Sequence, residues 1–316
     1  MNSEVPLLVI SCDKYSDLWE PFFCVFRTHW PDCPFDLYLG TNHLTCNVPG
    51  VKTINVGDDR SWADGLCAML EKLNSTHVIL FLEDFFLTKP VQTSAILRLV
   101  EISQKNLVDC LRFAPLPPPT PLPTRLIFGY KDIAIVEKDT PYFIATQPAI
   151  WRKDFLSKIL VPGFSAWEFE HTASTMAEFM DAQVWGPLKP YLVYEQGVEK
   201  GKWKPSVLEI CHNLGAEVDL NSRSVFGAAE LDAHLNLSST ASRAHNWKIA
   251  AIQEYQMGHR IKGTKNILSF ISIQPFSIQG WLILVSGLLG ANVLQLLRKT
   301  HLKYKIYNIR RRSVAI

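Results

Sequence analysis

From residue 5 to residue 114 the chain alternates short apolar runs with amphipathic ones, and few folds accept that order. VPLLVIS (5–11), FDLYLG (35–40), VKTINV (51–56), THVILFLEDFF (76–86) and VDCLRFA (108–114) read as strands. Residues 16–29, 61–73 and 91–106 read as helices, with Ser16 and Ser61 placed as N-caps. A strand followed by a helix and then another strand is the pattern of parallel pairing, because a parallel neighbour needs a crossover. The expected fold class is therefore α/β, a Rossmann-type layered and mostly parallel sheet. Its ligands belong at the carboxyl ends of the strands.

One strand carries more than fold information. Five apolar residues, Val78 to Leu82, are followed by Glu83 and Asp84 and then at once by Phe85, Phe86 and Leu87. Carboxylates set into such a run are costly unless they are paired or hold a cation. Magnesium and manganese prefer carboxylate oxygens and complete their shell with substrate phosphates. Two further polar loops follow strands of the same sheet. SCDKYSD (11–17) leaves the first strand and contains Asp13. GDDRSWADG (57–65) leaves the third, with Asp58, Asp59 and a helix start at Ser61. A helix start offers N–H groups to a phosphate, and Trp62 offers a flat face to a ring.

Other chemistries lack their residues. There is no GxxxxGK[ST] loop, no GxGxxG after the first strand, no GxSxG and no HExxH. The seven cysteines are odd in number and include no CxxC, so neither a disulfide framework nor a zinc knuckle is expected, and a reducing compartment is. The net charge of +2, without basic and aromatic residues interleaved, argues against nucleic acid as a partner. The N-terminus has no basic n-region and reads as a strand rather than a signal peptide.

In order along the chain, SCDKYSD, a loop with Ser61-Trp62 opening a helix, LEDFFL (82–87), QPAIWRKDFL (147–156) and PGFSAWEFE (162–170) resemble the GT-A type glycosyltransferases. Within that class the chain is similar to bacterial sugar transferases of polysaccharide or lipopolysaccharide clusters. The resemblance covers about residues 5–210. It sets LEDFFL where the family has its Asp-x-Asp metal motif. Here the motif is Glu83-Asp84-Phe85, with no second Asp, so Asp84 becomes the candidate ligand for Mn2+ or Mg2+. The resemblance further implies a nucleotide-sugar donor held by Asp13, Asp58, Trp62 and Glu83. It implies a catalytic base in the second half, for which Glu170 and Glu168 are the candidates, with a slight preference for Glu170. Gln147 and Trp151 are placed toward the sugar. VEKGKWKP (198–205) would supply a cation for the leaving diphosphate, with Lys202 as the expected residue. A nucleotidyltransferase is the alternative enzyme, and a catalytically silent scaffold of a polysaccharide assembly complex is the alternative without chemistry.

The domain reading assigns 1–215 to a catalytic unit, split into a nucleotide-sugar half (1–115) and an acceptor half (116–215) at the Pro-rich stretch 114–124. Residues 216–265 form a polar, helical connector. Residues 266–316 form a tail, charge-free from 266 to 297 and basic from 298 to 312. The part from about 276 to 297 is long enough to span a bilayer. A single span would place the basic end outside a cytosolic catalytic domain, against the positive-inside tendency. The expectation is a membrane surface contact through residues 276–312, on the inner face of the cell membrane, with a glycan or lipid-linked acceptor.

Overall fold

The computed structural model describes residues 5–115, 124–136, 142–227 and 259–290, with scattered positions elsewhere. Most of the Pro-rich stretch, most of the connector and the basic residues Lys299, Lys303, Lys305 and Arg310–Arg312 lie outside the described residues. The first half runs β1 (Leu7–Ile10), a 3-10 segment (Asp13–Leu18), α1 (Trp19–His29), β2 (Leu37–Thr41), β3 (Val51–Asn55), α2 (Trp62–Glu71), β4 (His77–Leu82), β5 (Phe85–Leu87), α3 (Thr93–Asn106) and β6 (Cys110–Arg112). It continues through β7 (Thr124–Ile127), β8 (Tyr130–Val136), β9 (Ala149–Arg152), α4 (Lys153–Ile159), α5 (Ala166–Phe179) and β10 (Val184–Pro187). Then come β11 (Tyr194–Gln196), β12 (Val198–Glu199), β13 (Lys202–Trp203) and α6 (Pro205–Asn213), and later α7 (Arg260–Ile273) and α8 (Ile278–Leu289).

The main sheet has the order β3-β2-β1-β4-β9-β6-β10-β8-β7. β9 and β8 run against the other seven strands. This is the layered, mostly parallel α/β sheet that the GT-A resemblance implies. The central strand β1 is apolar throughout, and β4 nearly so, because both faces are covered there. In β1, Leu7 and Val9 join the core beneath α1, α3 and α6, while Leu8 and Ile10 join the core beneath α2, α4 and α5. β4 divides the same way, with Ile79 and Phe81 on one side and Val78 and Leu80 on the other.

Two expectations need correction. Residues 16–18 belong to the 3-10 segment, which kinks at Tyr15, so Ser16 caps nothing and α1 begins after Leu18. Ser61 does cap α2, accepting from the Asp64 N–H. Residues 149–152 are the strand β9, wedged between β4 and β6, where the sequence reads as a helix opened by Trp151, Arg152 and Lys153.

Over the described residues up to 290, the charge-free run breaks at Gln274–Ser277, around Pro275, into α7 and α8, which bury Ile267, Phe270, Ile271 and Ile283 against Tyr255. No helix among the described residues is long and apolar enough to cross a membrane.

Candidate functional site

β4 ends where its apolar run ends, and Glu83 and Asp84 make the turn into β5. β5 leaves the main sheet and pairs with β11, so that Phe85 faces Gln196 and Phe86 faces Glu195. The two-stranded ribbon sits over the carboxyl end of β4 and encloses the acids. The Asp84 backbone carbonyl accepts from the Gly197 N–H at 2.6 Å. Glycine is needed there, since a Cβ at 197 would lie 2.6 Å from the Phe86 ring. The Asp84 Oδ2 accepts from Gln196 Nε2 at 3.1 Å, while its Oδ1 is buried without a hydrogen-bond partner.

Two adjacent carboxyls with this little water cannot both ionise easily. Burial, and then the neighbouring Asp84, push the Glu83 carboxyl well above the usual range. Burial pushes Asp84 up to about 6, against the opposing Gln196 bond. Lys204 also pulls Asp84 down, and it is paired with Glu199 at 3.8 Å.

The 3-10 segment supplies the next wall. Tyr15 lies under the guanidinium of Arg223, 4.6 Å from the ring centre. Arg223 makes a two-point pair with Asp17, at 2.9 and 3.0 Å, and donates to the Gly201 carbonyl at 3.1 Å. Its charge opposes the rise of Glu83, and Glu83 in turn raises the Tyr15 hydroxyl, after burial.

Across the ribbon stands a second cluster. Arg112, at the carboxyl end of β6, is 2% exposed. Its Nη2 donates to the carbonyls of Tyr142 and Phe143, while its Nη1 is buried without a partner. Tyr194 of β11 packs on Phe85 with ring centres 4.9 Å apart. Burial raises its hydroxyl well above the usual tyrosine range, with Arg112 opposing and Glu170 and Asp84 adding to the rise. Tyr194 thus lies within the field of both Asp84 and Glu170. The Glu170 Oε1 accepts from both the N–H and the hydroxyl of Thr146, each at 2.8 Å.

The structure sorts the expected residues. Glu83, Asp84 and Glu170 come to one edge of the sheet. Glu168 closes a capping box with Ser165 at the start of α5, so its carboxylate is used by the helix. The Asp13 carboxylate accepts from the N–H groups of Asn42, His43 and Leu44, and so ties the loop after β2 to the exit of β1. Asp58 is fully exposed and pairs with His43 at 2.9 Å. Trp62 packs on Phe169, ring centres 5.1 Å apart. The start of α2 does not offer the expected free N–H groups: Ala63 donates to the Phe164 carbonyl and Asp64 to Ser61.

Lys202 is also corrected. Its ammonium is taken by both oxygens of Glu230, at 2.8 and 2.9 Å, and the lysine whose charge reaches Asp84 is Lys204. Trp151 is 1% exposed in the core and does not face a site. Gln147 keeps a buried Oε1 without a partner. The residues that sequence reasoning missed are Arg112, Tyr194, Gln196, Lys204 and Arg223. Only Arg112 had a local signal, a charge inside the apolar strand VDCLRFA.

Among the described residues, no group of three or more His, Cys, Asp and Glu side chains is placed to hold a metal ion. The acid pair fits a hard cation that draws the rest of its shell from water and phosphate oxygens, and the partnerless Asp84 Oδ1 is the donor atom that fits it.

No protein-family model matches the chain, and no curated protein sequence does. Among solved structures it is similar to S. aureus TarS 1–349, at 10% identity over 87% of this chain and 93% of that one, with a TM-score of 0.44. The same protein in complex with UDP-GlcNAc covers 94% of this chain and 92% of its own, at 10% identity and a TM-score of 0.43. The UTP-bound UGPase from Acinetobacter baumannii covers 74% and 98%, at 7% identity and a TM-score of 0.42. The residue roles argued for this chain rest on its own geometry.

Proposed function

We propose that the chain is a glycosyltransferase that moves a sugar from a nucleotide-sugar donor to a glycan or lipid-linked acceptor. One observation carries the reading: an acid pair with a buried, partnerless oxygen at the carboxyl end of a central strand, in a fold that also holds the Glu170 carboxylate on Thr146.

In this reading the acceptor hydroxyl attacks the anomeric carbon. The new C–O bond forms as the bond from that carbon to the diphosphate breaks, and the hydroxyl proton passes to Glu170. Thr146 orients Glu170 by donating to one oxygen, which leaves the other for the proton. A divalent cation on Asp84 and Glu83 would neutralise the diphosphate and polarise its leaving oxygen. Gln196 fixes the Asp84 carboxylate, and Lys204 adds positive charge on the side where the diphosphate develops negative charge.

The α7–α8 hairpin gives the enzyme its proposed place, the inner face of the cell membrane. Phe276 is 96% exposed at its tip, and Ile278, Trp281, Leu282, Val285, Leu288 and Leu289 are exposed along α8. Arg260, Lys262 and Lys265 are exposed on α7, and residues 259–290 contain no Asp or Glu. An apolar tip behind a basic flank suits insertion among anionic headgroups.

The test is calorimetric titration of the full chain with UDP, GDP and CMP, with and without Mn2+, beside Asp84→Ala. Metal-dependent binding of one nucleotide, lost in the variant, is expected. If none of the three binds, the transferase fails and the silent scaffold replaces it.

A further inference from the structure

A hollow of about 570 Å3 lies between the loop after β5, strand β8 and the loop after β10. Three lysines from these three separate segments line it, Lys89, Lys131 and Lys189. None of the three has a carboxylate partner among the described residues. The one acid in the lining is neutralised. Asp132 is gripped at two points by Arg98, at 2.7 and 2.9 Å, and it accepts from the Tyr191 hydroxyl. The guanidinium holds the Asp132 carboxyl far below its usual range, so the pair stays ionised and leaves three uncompensated positive charges.

The chain as a whole carries only +2, so this is a local concentration. A second hollow of nearly equal size, about 560 Å3, shows the opposite lining: Asp17, Glu20, Glu217 and Asp219. The basic hollow is also joined to the acid pair. β5 leads from Asp84 to Lys89 in five residues, and β11 leads back from Val193 to Gln196, which holds Asp84. At about 3.3 Å per extended residue the two sites are at most about 17 Å apart along the ribbon.

Three ammonium groups around an open hollow match several negative charges spaced along a chain, more than they match one compact anion. Lysine is also the point-charge reader of such groups, needing no fixed planar geometry. We infer that this hollow is the acceptor subsite for a linear glycan bearing repeated phosphate or carboxylate groups. The inference rests on the transferase reading for the word acceptor, and on the lysines for the polyanion.

The experiment is binding of the full chain to long-chain inorganic polyphosphate, to polygalacturonate and to a single-stranded DNA oligonucleotide, at two salt concentrations, with UDP titrated in parallel. The variants are the triple Lys89→Ala, Lys131→Ala, Lys189→Ala and its all-Arg counterpart. These exposed positions leave the fold intact, which the melting temperature verifies. Binding of polyphosphate or polygalacturonate by the wild type is expected, weaker at higher salt and weakened about tenfold or more in the Ala triple. The Arg triple should bind like the wild type, and UDP binding should be the same in all three proteins. Whichever polymer binds names the anionic group. The inference is overturned if the wild type binds neither polymer, if the Ala triple binds as well as the wild type, or if the oligonucleotide binds as tightly as both polymers. Polymer binding that depends on the lysines, together with no nucleotide binding, would sink the proposed function and leave only the polyanion site.

Discussion

The turn after β4 and the α7–α8 hairpin break the inside-out rule in opposite directions. The turn buries Glu83 and Asp84 among phenylalanines. The hairpin exposes Phe276 and Trp281 to solvent. A folded chain loses free energy in both places, and these are the two departures that carry information about function. In the proposed function the partner of the buried acids is a cation with its anionic ligand, and the partner of the exposed apolar side chains is an apolar phase. On that proposal the contrast separates roles, with chemistry at the sheet edge and location at the hairpin.

Four measurements would break or sharpen that contrast. The largest effect belongs to the sheet edge: Glu170→Gln should lower turnover by about 10²–10⁴ while nucleotide binding is kept. Unchanged turnover would remove Glu170 from the reaction. Next is the hairpin. Phe276→Glu with Leu282→Glu should weaken binding to anionic vesicles about a hundredfold, since each side chain contributes about 1.5–3 kcal/mol when buried. Turnover on a water-soluble acceptor should not change, and a parallel loss of activity would show that the two regions are not separate.

The third effect concerns the cost of the buried acid itself. Asp84 titrates in the folded chain at about 6, above its unfolded value, so the metal-free fold keeps a proton that the unfolded chain releases between about pH 4 and 6. Stability therefore falls as pH rises through that window. Asp84→Asn removes the charge and should stabilise the metal-free protein by about 2 kcal/mol at pH 7.5 and hardly at all at pH 4. Thermal melts in a chelator at the two pH values decide it, and an Asn variant less stable at pH 7.5 would mean the carboxylate is structurally required. The smallest effect separates two lysines. Lys204→Ala should lower turnover about tenfold, roughly 1.4 kcal/mol, while Lys202→Ala, which loses only a surface pair with Glu230, should leave it unchanged.

The sheet was legible because its signals are local. Apolar strand runs, the Ser61 cap and the helices over 61–73 and 91–106 are written within a few residues of themselves, and α2 and α3 form within those spans. Glu83 and Asp84 stood out for the same reason. β9 was not legible, because three apolar residues and an arginine before a helix look the same whether or not two distant strands close on them. The partners of the acids were hidden more deeply. Gln196, Lys204 and Arg223 are ordinary polar residues without a local signal, and only pairing across more than a hundred residues brings them to the site. Lys202 and Lys204 look equivalent in VEKGKWKP. The β12–β13 hairpin, turning at Lys200 and Gly201 with positive φ, decides which of them meets Asp84.

That long-range closure has a consequence for how the site comes into being. Gln196 is 112 residues beyond Asp84, and Arg223 is 206 beyond Asp17. At about 5–20 residues per second, a ribosome delivers Gln196 about 6–22 s after the acids it steadies. During that interval the central strand can find its neighbours β1 and β9, but the ribbon over its end is missing. Until residues 194–223 have been added, the nascent chain lacks the groups that cover and steady its acids.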